Sequence, residues 1–220
     1  MIQQLTIDDE LNFTFPDPRL GNPSGMFAVG GDLRVPRVIA ALKIGAFPWF
    51  AFRYEKPMWC CPMERFVIFP NEIHVSHSMR NVFNRGIFTV TFDQDFESMI
   101  SLCAVADNRI DHPDAWLGER VITTYCHLHR RGIAHSVEVW DNATGRLVGG
   151  LYGERVGRCF MGESMCSLVP NASKAALITL ARKMAAEPYP TIIDTQIETP
   201  HLASLGARYI PYDDYLPYLN

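Results

Sequence analysis

The chain has no apolar run approaching the ~18 residues of a membrane-spanning helix, no Cys-x-x-Cys pair, no Gly-x-Ser-x-Gly elbow and no excess of basic residues. Each absence removes a class of function. Without the apolar run, a spanning helix is not expected. The first residues, Met1-Ile2-Gln3-Gln4-Leu5-Thr6-Ile7-Asp8-Asp9-Glu10, are acidic and lack the basic start of an export signal, so a cytoplasmic protein is expected. The cysteines at 60, 61, 103, 126, 159 and 166 are scattered. In a chain that reads as cytosolic they are expected as free thiols, and the adjacent Cys60-Cys61 pair lacks the partner pair a zinc site needs, so no metal is expected. Without a serine elbow or a convincing Ser-His-Asp order, nucleophilic catalysis by serine is disfavoured. Twenty Lys and Arg against 24 Asp and Glu leave a net charge of −4, which argues against coating long nucleic acid but permits a local basic patch on a short RNA end.

What is present is a chain of 220 residues, 48% of them hydrophobic, enough for one large domain or a domain with a small annex. The first sixty residues are rich in Gly and Pro, with a helix expected over 36–44, and read as a small N-terminal domain over 1–62. The remainder alternates strands and helices. Strands are expected at 66–69 and 88–92, helices at 96–105 and 119–131, a hairpin of 135–140 with 147–152, and a further strand at 159–164. A helix at 172–186, a strand at 191–197 and a short helix at 213–219 complete the pattern. A hairpin-rich centre followed by strand–helix–strand points to an α+β fold with a mixed sheet.

Several residues carry possible chemistry. Asp194 and Gln196, two apart on the expected strand, would face the same side among Ile192, Ile193 and Ile197. They are costly to bury unless hydrogen-bonded, and a polar strand face meeting water is the plainer alternative. Glu163 and Met165 follow the same spacing, and a strand-end carboxylate paired with an Arg is the ordinary reading of Glu163. Asn171 is placed as a helix N-cap whose side chain would satisfy backbone N–H groups, with Ser173 and Lys174 in the first turn, a position that attracts anions. Trp49, Trp116 and Tyr125 serve equally as core pieces or as stacking platforms for unpaired bases.

Taken in order, Gly30-Gly31-Asp32-Leu33, Phe47-Pro48-Trp49-Phe50, Trp116 with Tyr125, His135-Ser136-Val137-Glu138-Val139-Trp140, Gly162-Glu163-Ser164-Met165, Asn171-Ala172-Ser173-Lys174, Asp194 with Gln196, and Asp214-Tyr215-Leu216-Pro217 resemble one family, the leucyl/phenylalanyl-tRNA–protein transferases. The resemblance implies a small N-terminal domain and an N-acetyltransferase-like (GNAT-like) domain over 63–220. It implies transfer of Leu or Phe from aminoacyl-tRNA to the α-amine of proteins beginning with Arg or Lys, marking them for degradation, with no metal and no coenzyme. By matching positions it assigns Asp194, Gln196 and Glu163 to catalysis, with Gln196 on the amine or carbonyl and Asp194 polarising Gln196 or accepting the proton. It assigns Leu151, Phe160, Met165, Leu177, Met184 and Ile193 to an apolar pocket for the donor side chain, and Trp49, Trp116, Tyr125, Asn171, Ser173 and Lys174 to the tRNA 3′ end. His77 departs from the family pattern, which has Arg there. Two rivals remain open at this point: an acetyl-coenzyme A N-acetyltransferase, and a non-catalytic RNA- or N-terminus-binding protein.

Overall fold

A computed structural model describes residues 2–6, 13–49, 56–106 and 118–220. Trp116 and Phe50 of the sequence reading lie outside them. The described residues build two sheets. The first takes β1 (Gln3–Leu5), β2 (Met26–Gly30), β3 (Phe47–Trp49) and β4 (Met58–Cys60) in the order β1-β2-β4-β3, with helix α1 (Val35–Leu42) between β2 and β3. These short strands are not evident in the sequence, where Gly and Pro dominate the segment.

The second sheet begins at β5 (Glu64–Ile68). Helix α2 (His77–Asn84) follows, capped by the Ser76 hydroxyl, then β6 (Phe88–Phe92), α3 (Phe96–Val105) and α4 (Glu119–Arg130). The centre is a meander of β7 (Ala134–Asp141), β8 (Leu147–Val156) and β9 (Cys159–Ser167). Helix α5 (Ala172–Ala185) leads to β10 (Ile192–Asp194), α6 (Pro200–Ala203), β11 (Arg208–Pro211) and α7 (Tyr212–Tyr215). The order across the sheet is β11-β5-β10-β9-β8-β7-β6. Within this sheet, among the described residues, β9 and β10 run parallel and the other neighbours are antiparallel, so the fold is α+β with a mixed sheet.

Strand alternation sorts the core into two layers. Phe66, Ile68, Val137, Leu151, Phe160 and Ile193 face α5. Val67, Tyr152, Cys159, Met161 and Ile192 face the other way, toward α3, α4 and the core of the first sheet. Close approach on that second side is set by Gly150, where a Cβ would lie 2.5 Å from the Met99 sulfur and 2.1 Å from the Val137 carbonyl oxygen. The polar residues of β7 that turn to this side are fully paired: Glu138 accepts from Ser136 Oγ at 2.5 Å and Thr91 Oγ1 at 2.6 Å. All six cysteines are free and buried. No helix of the described residues is long and apolar enough to cross a membrane.

Two expectations are corrected. The strand expected over 191–197 stops at Asp194, because Gln196 adopts the left-handed conformation with φ of 63°. The strand expected over 159–164 runs on to Ser167, since β8 continues beside it.

Candidate active site

The site grows from a fork. β10 pairs with β9 only over Ile192–Asp194 against Cys159–Met161. β9 then continues six residues without a strand on that side, while the chain beyond Asp194 turns away. Two parallel strands that part after three residues leave an opening whose walls are Gly162–Ser167 on one side and 195–197 on the other.

A β-bulge decides what enters this opening. β8 and β9 pair Tyr152 with Ser164 but Gly153 with Gly162, so Glu163 is the extra residue. Across it the alternation reverses: Cys159 and Met161 share a face with Cys166, not with Met165. The expected i, i+2 pairing of Glu163 with Met165 is therefore overturned. Glu163 turns toward Asp194 and α4, while Met165 packs toward α5. An inserted residue breaks period 2, which no pattern of apolar residues had signalled.

Asp194 is fully buried. One carboxylate oxygen pairs with the guanidinium of Arg65, itself fully buried, and the other accepts the Gln196 backbone N–H at 2.9 Å. Arg65 is held between two rings, 5.6 Å from the Phe47 centroid and 4.6 Å from that of Tyr215. Its Nε and Nη1 have no hydrogen-bond partner among the described residues, so Asp194 is the counter-charge this buried cation depends on. Trp49 connects to this group through Phe47, with centroids 5.7 Å apart.

Gln196 does not stand beside Asp194 on a regular strand. Its left-handed backbone, fixed by Asp194, swings the side chain to Glu163, where Nε2 donates to Oε1 at 3.4 Å. Glu163 stays partly open to solvent. Burial raises its carboxyl most, with Asp194 adding to the rise and Glu154, Tyr125 and Gln196 opposing it, and the result is pushed up to about 7. Glu154, fully buried on β8, rises well above the carboxylate range, first through burial and then through Glu163. Tyr125 from α4 faces the same pair, its hydroxyl buried without a well-formed hydrogen bond, and burial pushes its phenol up as well.

Asp194, Gln196, Glu163 and Tyr125 thus converge. The residues expected to form the apolar pocket lie across the sheet. Leu151, Phe160, Leu177, Met184 and Ile193 are buried under α5, and Met165 is partly buried at the fork. Phe160 and Met184 line a cavity of about 180 Å³, whose rim carries Asp93 and His135 joined at 2.8 Å. Asn171 starts α5 but makes no side-chain cap, because it too is left-handed, with φ of 74°. The Ser167 hydroxyl takes that role, accepting the Ser173 N–H at 3.2 Å. Ser173 is buried and Lys174 half-buried, next to His201. A separate cleft of about 710 Å³ opens between residues 31–36 and the start of α4, lined among others by Asp32, Arg34, Arg120 and His127. None of the expected site residues lines it, and its mixed charge selects neither sign of ligand. Among the described residues no cluster of three or more His, Cys, Asp or Glu could hold a metal ion.

Sequence reasoning missed Arg65 and Glu154. Arg65 directly precedes the apolar run Phe66-Val67-Ile68, and nothing local marks it as buried. Glu154 has a legible signal in retrospect, since it lies two residues from buried Tyr152 and shares its face.

Comparison with known proteins adds a family. A family profile described as leucyl/phenylalanyl-tRNA protein transferase matches residues 67–220. The leucyl/phenylalanyl-tRNA–protein transferase of Pseudomonas fluorescens (strain SBW25) is 44% identical over 96% of this chain and 91% of its own length. That of Pseudomonas putida (strain W619) is 43% identical over 100% of this chain and 94% of its own. That of Flavobacterium psychrophilum is 44% identical over 94% of this chain and 96% of its own.

Proposed function

The chain belongs to the leucyl/phenylalanyl-tRNA protein transferase family, and we propose that it transfers Leu or Phe from aminoacyl-tRNA to the N-terminal amine of proteins beginning with Arg or Lys, marking them for degradation in the cytoplasm without a coenzyme. The observation that carries the reading is the Gln196 carboxamide, held at the fork between Glu163 and an Asp194-fixed backbone. We read residues 1–62 as a small domain and 63–220 as a GNAT-like catalytic domain, consistent with the mixed sheet and its parting parallel strands.

An aminoacyl ester is already activated, so aminolysis depends on placement more than on bond polarisation. The new bond joins the acceptor nitrogen to the ester carbonyl carbon. The bond that breaks joins that carbon to the ribose oxygen, which finally takes the proton lost by nitrogen. A terminal amine has a reference pKa of about 7.7–8.0, leaving a useful neutral fraction near neutrality. With Nε2 of Gln196 engaged by Glu163, its carbonyl oxygen remains to accept an N–H of the incoming amine and aim its lone pair. The carboxylate of Glu163 favours a cationic group beside it. Asp194 acts through the backbone: one oxygen pairs with Arg65 and the other accepts the Gln196 amide N–H, so its part in this reading is to fix Gln196.

The donor ester sits at the fork, and its side chain passes Met165 toward the wall of Leu151, Phe160, Leu177, Met184 and Ile193. Met165 at the fork is unbranched and flexible, which suits leucyl and benzyl groups better than β-branched ones. Of the residues matched to the tRNA 3′ end, Trp49, Asn171 and Lys174 would face the terminal adenosine, with Tyr125 and Ser173 buried behind them; Trp116 lies outside the described residues.

The test is direct. Radiolabelled leucyl- or phenylalanyl-tRNA is incubated with the protein and a peptide beginning with Arg. Label moves to that peptide, not to its N-acetylated form, and isoleucyl-tRNA transfers far more slowly. Transfer of acetyl from acetyl-coenzyme A with none from tRNA would replace this reading.

A further inference from the structure

Glu154 is fully buried, its carboxylate oxygens make no well-formed hydrogen bond among the described residues, and the group that faces it is the carboxyl of Glu163. A lone ionised carboxylate in such a place is costly, so the neutral acid suits the site. Its surroundings are specific. Glu154 pairs in register with Met161 on β9, and the bulge two residues further along presents Glu163 on the same face. From α4 comes the Tyr125 hydroxyl, which is also without a well-formed partner. Beyond Glu163 stand Gln196 and the Asp194–Arg65 pair of β10 and β5. Two neighbouring acids in one buried pocket cannot both ionise cheaply, and the fully buried member keeps the shared proton.

We propose, resting on the transferase reading above, that Glu154 is a positioning residue for the transfer: as a neutral acid it gives its O–H to Glu163, keeps Glu163 ionised, and so fixes which end of the Gln196 carboxamide meets the incoming amine. The logic lies in donor and acceptor counts. An ionised Glu163 only accepts, so Gln196 must turn its NH₂ toward it and its carbonyl oxygen toward the amine. A neutral Glu163 can also donate, and the carboxamide is then free to turn over and offer NH₂ to the amine, which wants an acceptor. The opposing effect of Glu154 on the rise of Glu163 accords with this donation.

The test compares kcat/KM against pH for the wild type, Glu154→Leu and Glu154→Gln, each measured with leucyl-tRNA and an Arg peptide. Leu cannot donate, so the acidic limb of the profile moves up; a rise of one pKa unit from about 7 costs roughly fivefold at pH 7, and the loss is recovered by pH 9. Gln still donates N–H to Glu163, so its limb stays near that of the wild type. A merely structural Glu154 would lower activity alike at every pH and leave the limb in place, which overturns the proposal. Carboxyl ¹³C titration of the glutamate-labelled protein reads the same pair without turnover. A wild type in which no glutamate carboxyl titrates near neutrality overturns the proposal, even where Glu154→Leu does not fold. A wild type that transfers nothing at any pH instead fails the functional reading.

Discussion

Asp194 and Gln196 meet through the backbone: the Asp194 carboxylate accepts the Gln196 amide N–H at 2.9 Å, while the Gln196 side chain turns away to Glu163. The acid therefore sets the amide's direction without touching its carboxamide, and the two residues separate into a holder and a hand.

Asp194→Asn leaves Arg65 buried without a counter-charge. Breaking one side of such a pair costs about 3–5 kcal/mol, and the unfolding midpoint in urea should fall accordingly, together with turnover. The double change Arg65→Met with Asp194→Leu removes the uncompensated charge together with the acceptor of the Gln196 amide N–H. It should recover much of the stability and none of the turnover, which separates holding the fold from aiming Gln196.

Gln196→Asn tests reach. Asn tolerates the left-handed conformation with φ of 63°, so stability should stay close to wild type by thermal melting. Its shorter side chain does not span to Glu163. Turnover should fall by about a hundredfold, the order found when one preorganised polar contact to the reacting centre is lost. Equal activity would mean that the carboxamide is not what meets the amine.

The stability of the fold should decline with pH through the neutral range because of the buried acids. The Glu163 carboxyl is raised to about 7 and Glu154 is raised further, both mainly by burial. A raised acid contributes its full stability below its unfolded value, about 4.3 for a glutamate, and loses it as pH climbs through the folded value. Between pH 5 and pH 8, urea midpoints of the wild type should therefore drop relative to those of Glu154→Gln, which has one fewer acid to ionise. A wild type that gains on the variant over that range would contradict the assignment.

Gly153→Ala should damage the site through the bulge. An added Cβ would lie 2.0 Å from the Met161 carbonyl oxygen, which is backbone and cannot yield easily. A loss of about 3 kcal/mol or more is expected in urea unfolding. Whatever fraction folds should transfer poorly, because the displaced strand carries Glu163 with it.

Much of this protein was legible from residues alone. β6 and α3 fall on the expected 88–92 and 96–105 because each carries a complete local signal, strict alternation in one and an apolar face behind the Asp95 cap in the other. The resemblance picked out Asp194, Gln196 and Glu163 before any geometry was known. What the sequence did not determine is how they meet. Period-2 reasoning put Asp194 beside Gln196 and Glu163 beside Met165, and both pairings failed for one reason: a left-handed residue after β10 and an inserted residue in β9 each break the alternation. Such breaks are stabilised by distant partners, Arg65 on β5 and the β8 strand at Gly153, that no local window contains. Burial likewise came only from the tertiary structure. Neither Arg65 nor Glu154 stood among the expected site residues; the sheet, α4 and the rings of Phe47 and Tyr215 close over them and make their charges expensive.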